Sequence, residues 1–417
     1  MNNQIADPLS TSKNYKWLML ALLWTAFFLN SADRQIFSVV LPLIKADLNL
    51  SDAELGLIAS SLVWTYGLFV PIAGIVGDRL VRKNIIVFSL LFWSVSTLLT
   101  GISTTVAQFV LFRGIATGGG EAFYAPAANA LIGEEHQKRR SLALSIHQSA
   151  VYFGIILSGV IAGYIGQHYG WRNAFYLFGG FGILVAIVSF FKLRKDVPAQ
   201  AQEKVNVVES AKIMAKNPTV VLLTAAFACM VFVNVAYLTW MPSLLVEKFN
   251  LSLVAAGFSS MFYHHIGAFI GVLIGGLVSD KVSRINPGNR LVVQAVAMLG
   301  AVPFIYWIGM GTTPFATYLA LFFFGIFRGI YDSNIFASLY EVVKPAIRSS
   351  SSGFMLMCAF LVGAFAPLIL GVLKPTLGLS TGLSWLWVSY FLGAAFLLTA
   401  VLFFFKTDRQ NAMAYES

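Results

Sequence analysis

Charge is what this sequence has least of. Aspartate, glutamate, lysine and arginine supply 11% of its 417 residues, where a soluble domain carries about a quarter, so an ordinary water-facing surface cannot be built from it. A soluble globular protein is excluded. Cysteine is scarce as well: Cys229 and Cys358 stand alone inside apolar runs, leaving no disulfide framework and no metal-ligand spacing. The glycine-lysine loop that cradles nucleotide phosphates is missing, and so is any nucleophile elbow, so neither ATP-driven work nor an enzyme is indicated and no cofactor is called for. The bases outnumber the acids by ten, yet they fall in short clusters between apolar spans and do not gather into the broad basic face that a nucleic-acid partner needs.

What the chain has in excess is apolar length. Hydrophobic residues make up 58% of it, in runs at 16–41, 53–77, 84–103, 106–132, 141–166, 172–193, 219–246, 254–279, 290–310, 314–343, 349–373 and 382–406. Each run approaches the ~20 residues that a helix needs to cross a bilayer. The expectation is an all-α membrane protein with twelve transmembrane helices in two six-helix bundles. Residues 1–193 form the first bundle, 194–218 a cytoplasmic linker with a surface helix over Val207–Lys216, and 219–417 the second. No small-residue cleavage site follows the first span, which is therefore read as retained. If both termini are cytoplasmic, 21 of the 28 lysines and arginines fall on that side, four lie outside (Lys45, Arg172, Lys248, Lys374) and three sit within spans. The positive-inside bias then sets the orientation in a cell membrane, plasma or inner.

Two internal matches support a duplicated unit. Asn49-Leu50-Ser51 before span 2 recurs as Asn250-Leu251-Ser252 before span 8, an offset of 201, and each serine is placed to cap a helix, Ser51 with Glu54 as a capping box. After the same spans, Gly74…Asp78-Arg79…Arg82-Lys83 is echoed by Gly276…Asp280-Lys281…Arg284, an offset of 202. This pattern resembles the major facilitator superfamily over essentially the whole chain, although that family usually has glycine where this chain has Val81. The resemblance implies that Asp78, Arg79, Arg82 and Lys83, with Asp280 and Arg284, take part in gating as the two halves rock; the same bases also serve as topological anchors.

Ionisable residues inside spans carry the chemistry. Asp33 and Arg34 are adjacent in span 1, Arg113 and Glu121 share span 4, and Arg328 and Asp332 share span 10. Each costs roughly 2.5–3.5 kcal/mol at a helix centre even on a lenient scale, so together they imply a polar cavity. A buried structural ion pair and the handling of protons or anions both account for such pairs. Arg34 and Arg113 each lie seven residues from the outer end of their span, about 10 Å below that face, so they can converge on one anion. Arg328, Tyr331 and Asp332 share one helix face.

Asn30-x-x-Asp33-Arg34-Gln35, followed by Arg113…Gly120-Glu121…Pro126…Asn129, resembles the anion:cation symporter family, whose members take up sugar acids and related carboxylates with protons or sodium. The resemblance implies proton coupling at Asp33 and Glu121 and binding of the substrate carboxylate by Arg34 and Arg113. In that family the span 4 pair is usually seven apart. Here it is eight apart, which turns Glu121 by ~100° unless the glycine triplet Gly118-Gly119-Gly120 harbours a bulge. Further polar candidates for a hydroxylated ligand are Tyr66, Tyr124, Asn129, Gln148, Tyr152, Asn234, Tyr237 and Asn334, each with helix packing as its ordinary alternative. His147, His264 and His265 are either coupling groups or hydrogen-bonded core residues. The function expected is import of a small organic anion, such as a hexuronate, an aldonate or a sialic acid, with protons rather than sodium. The alternatives are a spinster-like lipid or drug exporter, which shares the charged residues of spans 1 and 4, and a membrane sensor that moves no cargo.

Overall fold

The computed structural model describes residues 13–194, 212 and 214–413. The anticipated linker helix Val207–Lys216 lies largely outside the described residues. Because hydrocarbon offers no hydrogen bonds to a bare backbone, spanning segments must satisfy their own amides, and a helix does so within one segment. Among the described residues twelve long helical stretches result: α1 (Lys13–Leu48), α2 (Asp52–Arg79), α3 (Arg82–Thr100), α4 (106–135), α5 (Arg140–Tyr169), α6 (Trp171–Lys192), α7 (Pro218–Phe249), α8 (Leu253–Ser283), α9 (Asn289–Met310), α10 (Pro314–Tyr340), α11 (348–377) and α12 (379–413). Ten of them are long and apolar enough to span a membrane by length and composition. The two that are not are the helices carrying the buried charges of the first half: α1, diluted by Asn30, Asp33 and Arg34, and α4, broken into shorter segments.

The repeated triplets do the same work twice. Asn49 and Asn250 both adopt φ 53°, the left-handed conformation that asparagine tolerates and most side chains avoid. Ser51 then caps α2 in a capping box with Glu54, and Ser252 caps α8 by accepting from the Ala255 amide. Further on, Thr105 caps α4 and Thr313 caps α10. Gly170 (φ 90°) and Gly378 (φ 73°) make equivalent turns into α6 and α12.

Helices α1–α6 and α7–α12 form two six-helix bundles, with α1 packed on α5, α3 on α6, and α8 on α10. The α8–α10 contact is especially close. Gly267 and Gly271 face Gly325 and Gly329, and a Cβ at any of the four would collide with a backbone carbonyl of the opposite helix. Between bundles, α2 meets α11, α5 meets α8, and α1 meets α7.

The seam is asymmetric along its length. Away from the chain termini it is shut: Gly56 abuts Pro367, Gly371 abuts Asp52, Gly159 abuts Gly257, and Gly163 abuts Leu253, all backbone against backbone. Toward the termini, Gly74 on α2, Gly276 on α8 and Gly353 on α11 have open space where a side chain would be.

Candidate functional site

Asp33 and Arg34 are neighbours on α1 and so point ~100° apart. The structure divides them accordingly. Asp33, 3% exposed, turns to α3 and accepts a short hydrogen bond from the Thr97 hydroxyl, while its Oδ1 has no partner among the described residues. Arg34 turns to α4 and α2, with its Nε 2.6 Å from Glu121 Oε2 and its guanidinium 4.0 Å above the Tyr66 ring. Glu121 is wholly enclosed, whereas the Arg34 side chain keeps 27% of its surface exposed. Arg34 is therefore the member of the pair that reaches the opening.

Arg113 is turned to the main chain of α1. It donates to the main-chain carbonyl oxygens of Asp33 (3.3 Å) and Arg34 (2.9 Å) and lies 4.8 Å from the Phe37 ring centre. Arg34 and Arg113 thus meet around the same turn of α1, but in this conformation each guanidinium is committed to protein. Nearby, Asn30 Nδ2, Gln35 Oε1, Arg113 Nε and Glu121 Oε1 are buried with no hydrogen-bond partner among the described residues. Buried polar groups are ordinarily satisfied, so this collection marks a place with room for other partners.

The eight-residue spacing on α4 has a structural answer. Residues Val110–Thr117 form a π-helical segment, and the Thr117 hydroxyl donates to Phe112 O at 3.0 Å, five residues back. A π-bulge inserts one residue without adding a turn, so Glu121 regains the azimuth that a seven-residue spacing has in a regular helix. The glycine triplet is not the bulge. Gly118–Ala122 is α-helical, and its glycines serve close packing: a Cβ on Gly118 would strike Leu62 O, and one on Gly120 would press on Phe92 and Trp93.

The other expected contacts sort into three groups. Tyr124 and Asn334 are committed elsewhere: the Tyr124 hydroxyl donates to Leu23 O at 2.5 Å beside His147 Nε2, and Asn334, 1% exposed, bonds Ser333 and Ile330 where α10 breaks. Asn129 and Gln148 line a recess of about 450 Å³ with Arg140, toward the termini. Around Arg328 a second charged cluster forms. Its Nη2 lies 3.3 Å from Asp332, its Nη1 lies 3.1 Å from His264 Nε2, and the Tyr237 ring packs 4.7 Å from that histidine. Tyr152 of α5 approaches from the other bundle, its ring centre 6.4 Å from that of His265 and the two rings edge to face.

Three of the anticipated gating residues are seen against neighbours in their own bundle. Arg82 bonds Glu134, Lys83 lies 5.4 Å from the Phe190 ring, and Asp280 lies 3.2 Å from Arg290; Arg284 is exposed. The side chains of Asp78 and Arg79 fall outside the described residues.

Residues with no motif to announce them include Thr97, Phe37 and a cluster at the shut end. There Lys374 of α11 reaches Asp52 of α2 (3.0 Å) and Glu247 of α7 (2.6 Å), and Lys45 of α1 reaches the same Asp52 (2.7 Å). A hydroxyl run in span 3, Ser94, Ser96, Thr97 and Thr100, is the one sequence signal that pointed at Thr97.

Two bundles joined at one end, parted at the other and holding buried ion pairs between helices define a membrane carrier. The family model described as Major Facilitator Superfamily matches residues 23–367, and the chain belongs to that family. It is a multi-pass membrane transport protein, not an enzyme. Among curated relatives it is similar to Protein spinster homolog 1 of Xenopus laevis, at 27% identity over 86% of this chain and 72% of that one. It is also similar to the Hexuronate transporter of Bacillus subtilis (strain 168), at 25% identity over 87% of this chain and 89% of that one. The crystal structure of a bacterial homologue of the human lysosomal transporter Spinster, in an inward-facing and unoccupied conformation, superposes with TM-score 0.78. It shares 21% identity over 96% of this chain and 98% of that one, a likeness of fold.

Proposed function

We propose that this transporter imports a small organic anion, a sugar acid such as a hexuronate, an aldonate or a sialic acid, together with protons. The observation that carries the reading is the Arg34–Glu121 pair at 2.6 Å, set beside Asp33 and Arg113, with polar atoms around them that have no partner among the described residues. Protonating Glu121 removes the charge that holds Arg34, and the freed guanidinium then takes the substrate carboxylate. Protonating Asp33 lowers the negative charge around Arg113 in the same way. Loss of the protons on the other side restores the internal pairs and expels the anion. Residues 1–193 and 219–417 move as two bodies joined by 194–218, with both termini in the cytoplasm and Asp78, Arg79, Arg82, Lys83, Asp280 and Arg284 gating the cytoplasmic end. The B. subtilis relative, named for hexuronate, supports the substrate class.

A spinster-like exporter of lipids or drugs is the second reading, favoured by the relatives of that name. Uptake separates the two. In proteoliposomes holding the purified full-length protein, an imposed inward proton gradient is expected to accumulate a labelled hexuronate, aldonate or sialic acid above its equilibrium level. Failure with all three, under a gradient that a control carrier uses, would overturn the symport reading.

A further inference from the structure

We infer that a cavity at the end of the second bundle that carries the chain's C-terminus is a binding site for a phosphate group, borne by an anionic lipid or free in the aqueous phase. The site lies apart from the charged residues assigned to transport, and the inference does not depend on which anion the protein carries.

The cavity measures about 200 Å³ and is lined by Tyr340 and Glu341 at the end of α10, Arg348 at the start of α11, and Arg409 and Ala412 near the end of α12. Its two guanidinium groups are held differently. Arg409 Nε lies 2.9 Å from Glu341 Oε2. Arg348 has no carboxylate within ion-pair distance among the described residues; its Nη2 donates to Tyr340 O at 3.1 Å, and its guanidinium lies 5.5 Å from the Tyr340 ring centre. Its Nε is buried and has no hydrogen-bond partner among the described residues. Tyr340 is fixed in turn, because its hydroxyl lies 2.9 Å from Ser352 Oγ, which donates to Arg348 O. The arginine is thus set in place before any ligand arrives.

Two guanidinium groups against one carboxylate leave a positive charge unmatched at the cavity. A buried donor is ordinarily satisfied and a guanidinium only donates, so the fitting occupant accepts hydrogen bonds and is negative. A cation would meet two arginines, and an apolar group would leave Arg348 Nε bare. Phosphate supplies both the charge and several oxygens, in the arrangement that arginine forks match. The depth of the cavity points the same way. On α12, Leu402, Phe403 and Phe404 are exposed and apolar, whereas Lys406 and Thr407 are exposed and polar, so the helix leaves hydrocarbon between them. Arg409 comes five residues after Phe404, ~7 Å further along the helix, and the polar layer on each side of a bilayer is roughly 5–7 Å deep. That is the level of lipid phosphates, open to the leaflet and to water alike. The side chains of Arg409 and Glu341 keep 32% and 28% of their surface exposed, so the cavity is reached from outside.

Thermal unfolding of the delipidated full-length protein in detergent tests the inference with inorganic phosphate and phosphatidylglycerol as probes and with chloride, at matched ionic strength, as the control. At about a hundred times its dissociation constant a probe that binds should raise the midpoint by about 2–4 °C over the control. A rise with phosphatidylglycerol alone upholds the site and assigns it to lipid, a rise with inorganic phosphate alone assigns it to the aqueous phase, and a rise with both assigns it to either source. In each case Arg348→Gln, which removes the unmatched charge, should reduce the rise by at least half. Ala412→Leu keeps both arginines and fills the cavity, and it should reduce the rise to the same extent; it decides the matter should Arg348→Gln fail to fold. The inference is overturned if neither probe raises the midpoint above the chloride control, or if the deciding variant shows the full wild-type rise, which would place the bound phosphate elsewhere on the protein.

Discussion

Lys374 and Asp52 lie 322 residues apart in sequence and 3.0 Å apart in space, and they join the two bundles at their shut end. Each side chain is 10% exposed, which places the pair between the surface case, where ion pairs contribute little, and the buried case, where breaking one is costly.

Asp52→Asn is accordingly expected to favour the form open at this end, because it strips Lys45 and Lys374 of their shared carboxylate and leaves Lys374 with Glu247 and the face of the Trp240 ring. Labelling of a cysteine placed at Ser60, in a background free of Cys229 and Cys358, by a membrane-impermeant maleimide should rise about tenfold for a shift of ~1.4 kcal/mol. An unchanged labelling rate would show that the glycine contacts close this end without help.

Glu121→Gln keeps the shape of the side chain and a hydrogen-bonding oxygen but cannot carry a proton through a cycle. It is expected to retain exchange of labelled substrate across proteoliposomes while losing accumulation driven by a proton gradient. Loss of both would assign Glu121 a structural part.

Deleting Ala116 should be tolerated, which is unusual for a spanning helix. The π segment Val110–Thr117 contains one residue more than a regular helix needs, and its removal leaves Arg113 and Glu121 seven apart in an α-helix, still facing α1. The thermal midpoint of the purified protein should fall by no more than the equivalent of ~1 kcal/mol, whereas deleting Ala127, in the α-helical part of α4, rotates everything after it and should abolish folding. Equal damage from both deletions would refute the bulge as the register-restoring element.

Gly325→Ala places a methyl group against His264 O at the tightest crossing of α8 and α10. Overpacking of this kind costs typically ~1–3 kcal/mol, and it should also spread Arg328 from His264. Melting of the variant is the check, with Gly276→Ala, which meets open space, as the harmless control.

Much of this architecture was legible because a bilayer imposes its thickness on the chain. Span length, the doubled Asn-Leu-Ser triplet and the depth of Arg34 and Arg113 are distances along a helix, and a sequence records those directly. Azimuth and partner choice are not recorded in that way. Nothing local says that Arg113 would bond carbonyl oxygens of α1, or that the π segment would lie ahead of the glycine triplet. Residue type leaves Tyr124 and Asn334 open between ligand contact and helix packing; in three dimensions Tyr124 bonds Leu23 O of α1 and Asn334 bonds the adjacent Ser333. Along the chain Lys45 and Lys374 are marked by nothing but their position outside the spans, although in three dimensions they share Asp52.

The contact of Gly159 with Gly257 has a mechanical meaning beyond closure. Two bare backbones touching without interlocking side chains make a smooth bearing: either surface can roll over the other with no knob to lift from its socket. On the α2–α11 side contacts of the same kind, Gly56 on Pro367 and Gly371 on Asp52, are joined by charges that act as a clasp. With bearings on both flanks and a clasp on one, resistance to parting at this end is concentrated where a few charges can release it.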